Sequence, residues 1–447
     1  MKPIYKVFYL SYRTGSGLWY RARRRFTLAG LCVAVGLLVA GVVGVDMENN
    51  VLYQEFALLL ALLISAFATG RFFRATFSAT RVMPRFGTAG EPLAYRVRLK
   101  NLTGRPQTGL TLLEDFADPR PTFADCLAFQ LAENKRLRPF QISRRRRNNP
   151  FRRVNPVESP VPPLAPRGET EVSVELLPLR RGILHFTGLT LARPDPLNLF
   201  RAFSRISAPQ TVLVLPKRYG MPPFALPGTM KYQQGGVALA ANVGRSEEFV
   251  SLRDYRRGDP VRHIHWRSWA KAGRPIVKEF EDEFFVRHAL VLDTFTDEPH
   301  SETLEEAVSV AASFACTVLT QESLLDLLFV GAESYCFTAG RGLARADRML
   351  EILASVRACG DKPFTTLEHL VITHASMVSG CICVLQQWDE PRKKLVEKLV
   401  ALRVPVRVFV IVSPGKPELD AGPLREEPEK FHVLEVGKIG EQLAGRS

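Results

Sequence analysis

The feature that most constrains this chain is an uncharged run of twenty residues, Phe26 to Val45, close to its amino end. As a helix this run would be about 30 Å long, which matches the hydrocarbon core of a bilayer. A second apolar stretch follows after the short turn 46–50. The pattern predicts a transmembrane hairpin with helices at residues 26–45 and 51–70. A cleaved signal peptide would account for the first run but not for the second.

The charges around the two spans predict their orientation. Residues 1–25 are basic and contain no acid, Arg71 and Arg74 follow the second span, and the turn between the spans is acidic. The positive-inside rule then places both termini and the large domains in the cytoplasm. The first 153 residues carry 25 of the 60 Lys/Arg but only 9 of the 45 Asp/Glu, so the net charge of +15 arises here. Anionic lipid headgroups are the partner we expect for this charge, at roughly 1 kcal/mol for each basic residue near the surface.

Small residues recur at every fourth position of both predicted spans, which keeps them on one helix face. They are Gly36, Ala40 and Gly44 in the first span, and Ala57, Ala61, Ser65 and Thr69 in the second. Small side chains let helix backbones approach closely in a membrane. The stripes therefore predict packing of the hairpin on itself or, alternatively, a homodimer formed through the transmembrane helices.

Residues 75–216 show the alternation of a β-sheet domain. Leu93, Tyr95, Val97 and Leu99 alternate with other side chains, and further strand candidates at 170–179, 183–192 and 210–216 are separated by Gly and Pro. Antiparallel strands of this kind predict a β-sandwich. A proline-rich insert at 134–167 carries the basic stretch Arg144–Arg153. We interpret the insert as a solvated loop. Contact with lipid headgroups or nucleic acid is the alternative, although nucleic acid is not the partner we expect.

Residues 288–447 change to strands that alternate with helices. This order predicts a doubly wound, mostly parallel α/β sheet, so the whole chain is a multidomain protein. Ligands of such sheets bind at the carboxyl ends of strands, and Asp293 ends the first strand. The seven scattered cysteines are too sparse for a disulfide scaffold and are interpreted as buried free thiols.

The segment between these domains, residues 217–287, is the richest in chemically active side chains. Its candidates for an interaction or structural motif are Arg253, Tyr255, Gly258, Asp259, Arg262, His265, Trp266, Lys278 and Glu279. They form either an internal clamp of paired charges or an exposed docking surface. We expect a mixture of the two, with Trp266 structural and Arg262 facing outward.

The order of these residues resembles the central motif of the bacterial domain-of-unknown-function family 58. That motif reads Arg-x-Tyr-x-x-Gly-Asp, then Arg-x-Ile-His-Trp, then Val-Lys-Glu-x-Glu, and this chain matches it from Arg253 to Glu281. The matches to the family's upstream stretch are Arg181, Gly182, Asp195, Pro196 and Phe200. The resemblance implies a protein of the bacterial inner membrane with undefined biochemistry. It also implies a MoxR-type AAA+ ATPase as partner and a von Willebrand factor A-like domain over residues 288–447.

A von Willebrand factor A domain often binds Mg²⁺ through Asp-x-Ser-x-Ser after its first strand, and oxygen ligands suit this ion. In this chain the three positions hold Asp293, Phe295 and Asp297, so an aromatic ring replaces the first serine. We therefore expect no cofactor and no working metal site, with Asp293 and Asp297 as the candidate ligands if Mg²⁺ binds. His263 and His265 have the spacing of a metal pair on a strand, but no third ligand of known spacing accompanies them.

Asp259 and His265 could form part of a hydrolytic dyad and are the candidates for a catalytic role. The sequence has no nucleophile elbow, no Walker A loop, no glycine-rich dinucleotide turn and no His-Glu-x-x-His motif. We therefore predict that the chain is not an enzyme but a membrane-anchored, cytoplasm-facing scaffold or adaptor. A hydrolase-like enzyme that uses the Asp259/His265 region is the alternative.

Overall fold

The chain forms two compact units in the computed structural model. Residues 1–217, 297–301 and 351–357 make the first unit, and residues 218–296, 302–350 and 358–447 make the second. The residues that the structure describes are 2–43, 50–73, 75–118, 120–127, 152–155, 158–221, 249–259, 261–280, 287–298, 300–319, 324–339, 343–415 and 419–445. Most of the arginine-rich insert, and residues 222–248 of the middle segment, lie outside them.

The first unit begins with three helices, α1 (Lys2–Arg25), α2 (Leu28–Val43) and α3 (Asn50–Arg71). Among the described residues α3 is the helix long and apolar enough to cross a membrane, whereas α2 is apolar but shorter. The first span does not start at Phe26 as predicted, because Phe26 forms a β-bridge with Phe200. The N-terminal segment 1–25, predicted only as a basic stretch, is almost entirely helical.

Helices α2 and α3 pack through glycines of α2 and large side chains of α3. A Cβ atom added at Gly36 would lie 3.4 Å from Leu59 Cδ1, and one added at Gly41 would lie 3.3 Å from Phe56 Cε2. The prediction that the small residues pack the hairpin on itself is wrong for α3, where Ala57, Ala61, Ser65 and Thr69 are exposed. The reason is that bulky residues of α3 fill the space that the glycines leave. The alternative, a homodimer through these helices, stays a prediction.

The β domain of the first unit consists, in its described part, of two sheets. The strands are β1 (Phe77–Val82), β2 (Phe86–Thr88), β3 (Leu93–Asn101), β4 (Thr111–Phe116), β5 (Val154–Asn155), β6 (Glu158–Pro160), β7 (Glu169–Pro178), β8 (Gly182–Pro194) and β9 (Arg201–Leu215). The sheet orders are β1-β3-β7-β5 and β2-β9-β8-β4-β6. Residues of both sheets share one hydrophobic core, as in a sandwich. The strict alternation predicted for β3 is confirmed, since Leu93, Tyr95, Val97 and Leu99 are all buried.

A buried ion pair joins the two sheets inside this core. Arg81 of β1 donates from Nη2 to Glu114 of β4 at 2.7 Å, and Tyr95 of β3 donates its hydroxyl hydrogen to the same carboxylate at 2.7 Å. Arg81 Nη2 also donates to the carbonyl oxygen of Gly188 at 2.6 Å. Burial raises the pKa of the Glu114 carboxyl, and the bonds from Arg81 and Tyr95 oppose that rise. The cluster thus satisfies a carboxylate that would otherwise be costly to bury.

The second unit begins with a small antiparallel pair, β10 (Phe249–Asp254) and β11 (Ile276–Phe280). Between these strands lie a 3-10 turn, Val261–His263, and a short helix, α4 (Trp266–Ala272). We call residues 249–280 the hairpin module. It contains most of the described part of the predicted motif segment.

An α/β sheet follows, and its described part has six strands. They are β12 (Arg287–Leu292), β13 (Leu324–Val330), β14 (Ser334–Ala339), β15 (Gly380–Leu385), β16 (Val406–Val412) and β17 (Phe431–Glu435), in the order β14-β13-β12-β15-β16-β17. The helices are α5 (Glu302–Leu319), α6 (Leu343–Ser355), α7 (Thr365–His374), α8 (Glu390–Ala401) and α9 (Ile439–Ala444). The sheet is mixed rather than all parallel, because β14 runs antiparallel to β13. Neither β14 nor α7 is predicted from the sequence.

Helices cover both faces of this sheet. On one face Val408 and Val410 join a buried cluster with residues of α7 and α8, whereas on the other face Phe409 packs against Phe314 of α5. All seven cysteines are free, but the prediction that they are buried holds only for some of them. Cys359, Cys381 and Cys383 are buried, and Cys32 and Cys336 are exposed.

Candidate functional site

The hairpin module is held together by an ion pair within the motif. Arg253 on β10 donates from Nη1 to Asp259 Oδ2 at 2.7 Å and from Nη2 to Asp259 Oδ1 at 2.9 Å. The backbone N–H of Arg256 donates to Oδ2 at 2.8 Å. These bonds lower the pKa of Asp259 to about 2, with Arg253 as the main cause. Gly258 permits the turn, because its φ of 113° lies in the region that favours glycine.

His265, which precedes the short helix α4, is hydrogen-bonded to strand β11. Its backbone N–H donates to the carbonyl oxygen of Ile276 at 2.8 Å, and its ring Nδ1 lies 2.7 Å from the hydroxyl oxygen of Ser268. Tyr255 makes a similar backbone tie, because its N–H donates to the carbonyl oxygen of Pro275 at 3.0 Å. Within the described residues no hydrogen bond joins Asp259 to His265.

Trp266 lies on the surface of the module. Its side chain is 62% exposed, and its ring stacks on that of Trp269 at a centroid distance of 5.2 Å. The structural role expected for Trp266 is therefore not seen, since α4 has no buried residue.

The surface around the tryptophan pair is strongly basic. Residues 251–280 hold eight Lys/Arg against three Asp/Glu. The exposed basic residues are Arg256, Arg257, Arg267, Lys271 and Arg274. Lys278 is half-buried on β11 opposite Leu252. The side chains of Arg262 and Glu279 lie outside the described part, so their predicted roles stay predictions.

A second polar site lies at the carboxyl ends of the central strands. The order of the sheet reverses between β12 and β15, which is where doubly wound sheets bind ligands. Asp293 follows β12 and is fully buried. Its Oδ2 accepts from Arg392 Nε at 2.9 Å and from the backbone N–H of Gln386 at 3.1 Å, and its Oδ1 accepts from the N–H of Phe295 at 3.0 Å.

Arg392, on α8, pairs with Asp293 and also contacts two other residues nearby. Its Nη1 donates to Asp389 at 2.7 Å, and its guanidinium carbon lies 4.5 Å from the centroid of the Phe364 ring. Burial lowers the pKa of Arg392, but the carboxylates of Asp293 and Asp389 more than offset this and leave it raised. Asp297, the other candidate ligand, is exposed. Within the described residues no group of three or more His, Cys, Asp or Glu could hold a metal ion.

The upstream family residues form a turn in the first unit. Asp195 accepts three backbone hydrogen bonds, from the N–H of Leu197 at 2.9 Å, of Leu199 at 2.7 Å and of Phe200 at 2.6 Å. The ring of Phe200 then meets Phe26 edge-on at a centroid distance of 5.4 Å and Phe67 of α3 at 5.6 Å. This turn therefore contacts the apolar helices directly.

The start of α2 is fitted closely to the same turn. The N–H of Thr27 donates to the carbonyl oxygen of Leu199 at 3.2 Å. A Cβ atom added at Gly30 would lie only 1.9 Å from that oxygen, which explains why a glycine stands there. Arg181 and Gly182 stand where β8 begins, and Gly182 has a φ of 110°. Of the predicted basic insert, Arg153 is described and donates to the carbonyl oxygen of Ile183 at 3.0 Å.

The comparisons with known proteins confirm the family resemblance. Residues 251–378 match the model of the family described as "Protein of unknown function DUF58", so the chain carries a DUF58 domain there. The uncharacterized protein YeaD of Bacillus subtilis is 28% identical over 185 residues, which cover 41% of this chain. The match spans 45% of YeaD, less than half of its length. Neither comparison names an activity.

Solved structures resemble parts of the chain only distantly. The CARDB domain of PF1109 from Pyrococcus furiosus is similar over 31% of this chain and 94% of that domain, with 12% identity and a TM-score of 0.17. A late embryogenesis abundant protein is similar over 36% of this chain and 88% of its own, with 11% identity and a TM-score of 0.19. No functional conclusion rests on these likenesses.

Proposed function

We propose that this chain is a membrane-anchored scaffold or adaptor that binds a protein partner through the hairpin module. The observation that carries the proposal is the exposed Trp266, stacked on Trp269 within a basic surface. Trp and Arg are the residue types that most often dominate binding energy at protein interfaces. An exposed tryptophan on a module braced by the Arg253–Asp259 pair is therefore a candidate for such an anchor.

The charge of the module favours an acidic partner. Exposed arginines steer an acidic surface toward the tryptophan pair and fix its orientation. The family resemblance suggests a MoxR-type AAA+ ATPase as the candidate partner. Because the module is basic, we expect this ATPase to present an acidic patch. The α/β sheet region would then be a von Willebrand factor A-like domain that works without a metal, since Arg392 neutralises Asp293.

A binding role accounts for the site better than a catalytic one. Asp259 is held by an arginine fork and a backbone N–H, and the ring of His265 lies against Ser268 at the start of α4. Both groups therefore have local structural partners. A general base needs its hydrogen-bonding atoms directed at a substrate proton.

Capture of a purified MoxR-type ATPase by the full chain in lipid nanodiscs tests the proposal. Trp266→Ala should weaken binding about 30-fold if the ring contributes the roughly 2 kcal/mol of an interface hot spot. Leu402→Ala is the matched control, because Leu402 is 52% exposed in the same unit but outside the module. Equal capture by wild type and a folded Trp266→Ala protein would remove the module from the interface.

The membrane orientation has its own test. We propose that both termini and the large domains face the cytoplasm, supported by the apolar helix α3 and by the basic residues that flank the apolar segments. A reporter that is active only outside the cytoplasm, fused after residue 447, should be silent. An active reporter would overturn the orientation and leave the module without access to a cytoplasmic ATPase.

A further inference from the structure

Helix α1 contacts the β domain with its polar face. Tyr9 is buried there, and its hydroxyl donates to the carbonyl oxygen of Pro121 at 2.9 Å. Arg24 pairs with Asp115 at 2.5 Å, and Arg120 donates to the carbonyl oxygen of Arg13 at 3.1 Å. A helix on a water-soluble unit usually turns its apolar stripe inward and its charges outward. In α1 this arrangement is reversed.

The apolar face of α1 is turned away from the β domain. Val7, Phe8, Leu18 and Trp19 are each between 63% and 67% exposed. At 3.6 residues per turn these four positions fall within about a third of the helix circumference, opposite Tyr9 and Arg24. The helix therefore presents two exposed apolar pairs on one face, Val7 with Phe8 and Leu18 with Trp19, with the exposed Ser11 and Gly15 between them. We call this face the apolar stripe of α1.

We infer that this stripe lies in the interface of a lipid bilayer, with α1 parallel to the membrane plane. The composition of the helix suits that place, because it contains Trp19, several tyrosines and seven Lys/Arg but no acidic residue. Aromatic rings with a polar edge settle at the headgroup level, and basic side chains on such a helix attract anionic lipids.

The connection of α1 to the apolar helices supports the same placement. Only Phe26 and Thr27 separate α1 from α2, and the turn around Leu199 holds that joint. Leu28 and Leu38 of α2 are 81% and 68% exposed, so the apolar surface continues from one helix to the next. A bilayer covers both surfaces at once.

A second copy of the chain is the other possible cover, and charge argues against it. Arg21, Arg23 and Arg25 are exposed near the end of the stripe. Pairing two such helices through their stripes would bring like charges together, which opposes association. The inference does not depend on the hairpin module, so either proposal can fail while the other stands.

Quenching of tryptophan fluorescence by brominated lipids tests this inference in the full chain. The four tryptophans are Trp19, Trp266, Trp269 and Trp388. The fluorescence of Trp19 is obtained by subtracting the spectrum of the Trp19→Phe variant from that of the wild type. This substitution keeps an aromatic ring at the exposed position. Trp388→Phe is the matched control. In vesicles with anionic lipid, bromines at carbons 6 and 7 should quench the Trp19 contribution more than bromines at carbons 11 and 12, and Trp388→Phe should leave that difference unchanged.

Three results would overturn the inference. If the Trp19 contribution is unaffected by either lipid, the stripe does not touch the bilayer. If the deeper bromines quench it more, α1 is inserted across the membrane instead of lying at its surface. If quenching appears only at low protein-to-lipid ratio, a second copy covers the stripe.

Discussion

The buried pair of Asp293 and Arg392 gives the sharpest prediction about the α/β sheet region. Arg392→Ala removes the guanidinium and leaves a carboxylate with no exposed surface. Two backbone N–H groups, of Phe295 and Gln386, remain to stabilise it. Removing one partner of a buried ion pair costs about 3–5 kcal/mol, because the remaining charge is uncompensated. The variant also loses the contact between the guanidinium and the Phe364 ring.

The matched control is the next residue of the same helix. Lys393 pairs with Glu390 at 3.3 Å, and the Glu390 side chain is 76% exposed. Surface pairs of this kind contribute about 0–1 kcal/mol, so Lys393→Ala should change stability little. Both variants shorten a basic side chain in α8, which separates the effect of burial from that of helix propensity.

Denaturant unfolding of the full chain in detergent measures the difference. Trp388 reports on the right region, since its ring packs against Phe431 at 4.9 Å and its indole N–H donates to the carbonyl oxygen of Asp420. We expect Arg392→Ala to lower the unfolding free energy of this region by about 3–5 kcal/mol. The double variant Asp293→Ala/Arg392→Ala should lose less than the sum of the two single variants, with a coupling of roughly 0.5–3 kcal/mol.

Two outcomes would refute this reasoning. One is an Arg392→Ala protein as stable as Lys393→Ala with no coupling to Asp293, which would mean that the pair does not form. The other is a Mg²⁺-dependent rise in the stability of the wild type. An ion at one hundred times its dissociation constant would contribute about 2.7 kcal/mol, and it would have to displace Arg392 from Asp293.

Three further predictions test other parts of the chain. Gly30→Ala should lower the melting temperature of the first unit and expose its helix joint to protease, because the new methyl group would overlap the carbonyl oxygen of Leu199. Asp259→Asn should reduce the loss of stability that occurs between about pH 4 and pH 2. The pKa of Asp259 is lowered, so its carboxylate stabilises the fold fully above the usual pKa, and this stabilisation is lost as pH falls toward about 2. Tyr95→Phe should cost about 1.5–3 kcal/mol in denaturant unfolding, because it deletes a buried hydrogen bond to the Glu114 carboxylate.

Strands and helices with a strong apolar period were readable from the sequence. The alternation of β3 and the apolar runs of β12, β13, β15 and β16 fixed their positions to within a residue or two. Strand β14 was missed because it is a half-exposed edge strand, and its burial pattern lacks the alternation that marks a strand. Helix α1 was not predicted because tyrosines and arginines are mixed along it. Its sequence therefore lacks the regular apolar period that indicates a helix.

The sequence identified the residues of the motif as a set, but it did not predict how they are arranged. The pairing of Arg253 with Asp259 follows from opposite charges separated by a glycine turn, and the structure contains it. Trp266 is exposed because nothing among the described residues buries α4, and the local sequence does not predict this. Likewise, α3 was correctly predicted as a helix, but the face predicted to contact α2 was wrong. That contact is made by Phe56 and Leu59 and not by the small residues.

The surroundings of Asp293 show that the local sequence does not predict which group pairs with a residue at the end of a strand. Phe295 at a ligand position predicts an incomplete metal site, but it does not predict what pairs with Asp293. The partner is Arg392, 99 positions further along the chain, and nothing in its local sequence marks it as a partner of Asp293. Only the order of the sheet brings the start of α8 to the carboxyl end of β12. The Asp293 carboxylate at this strand end is therefore neutralised by a side chain of the protein itself.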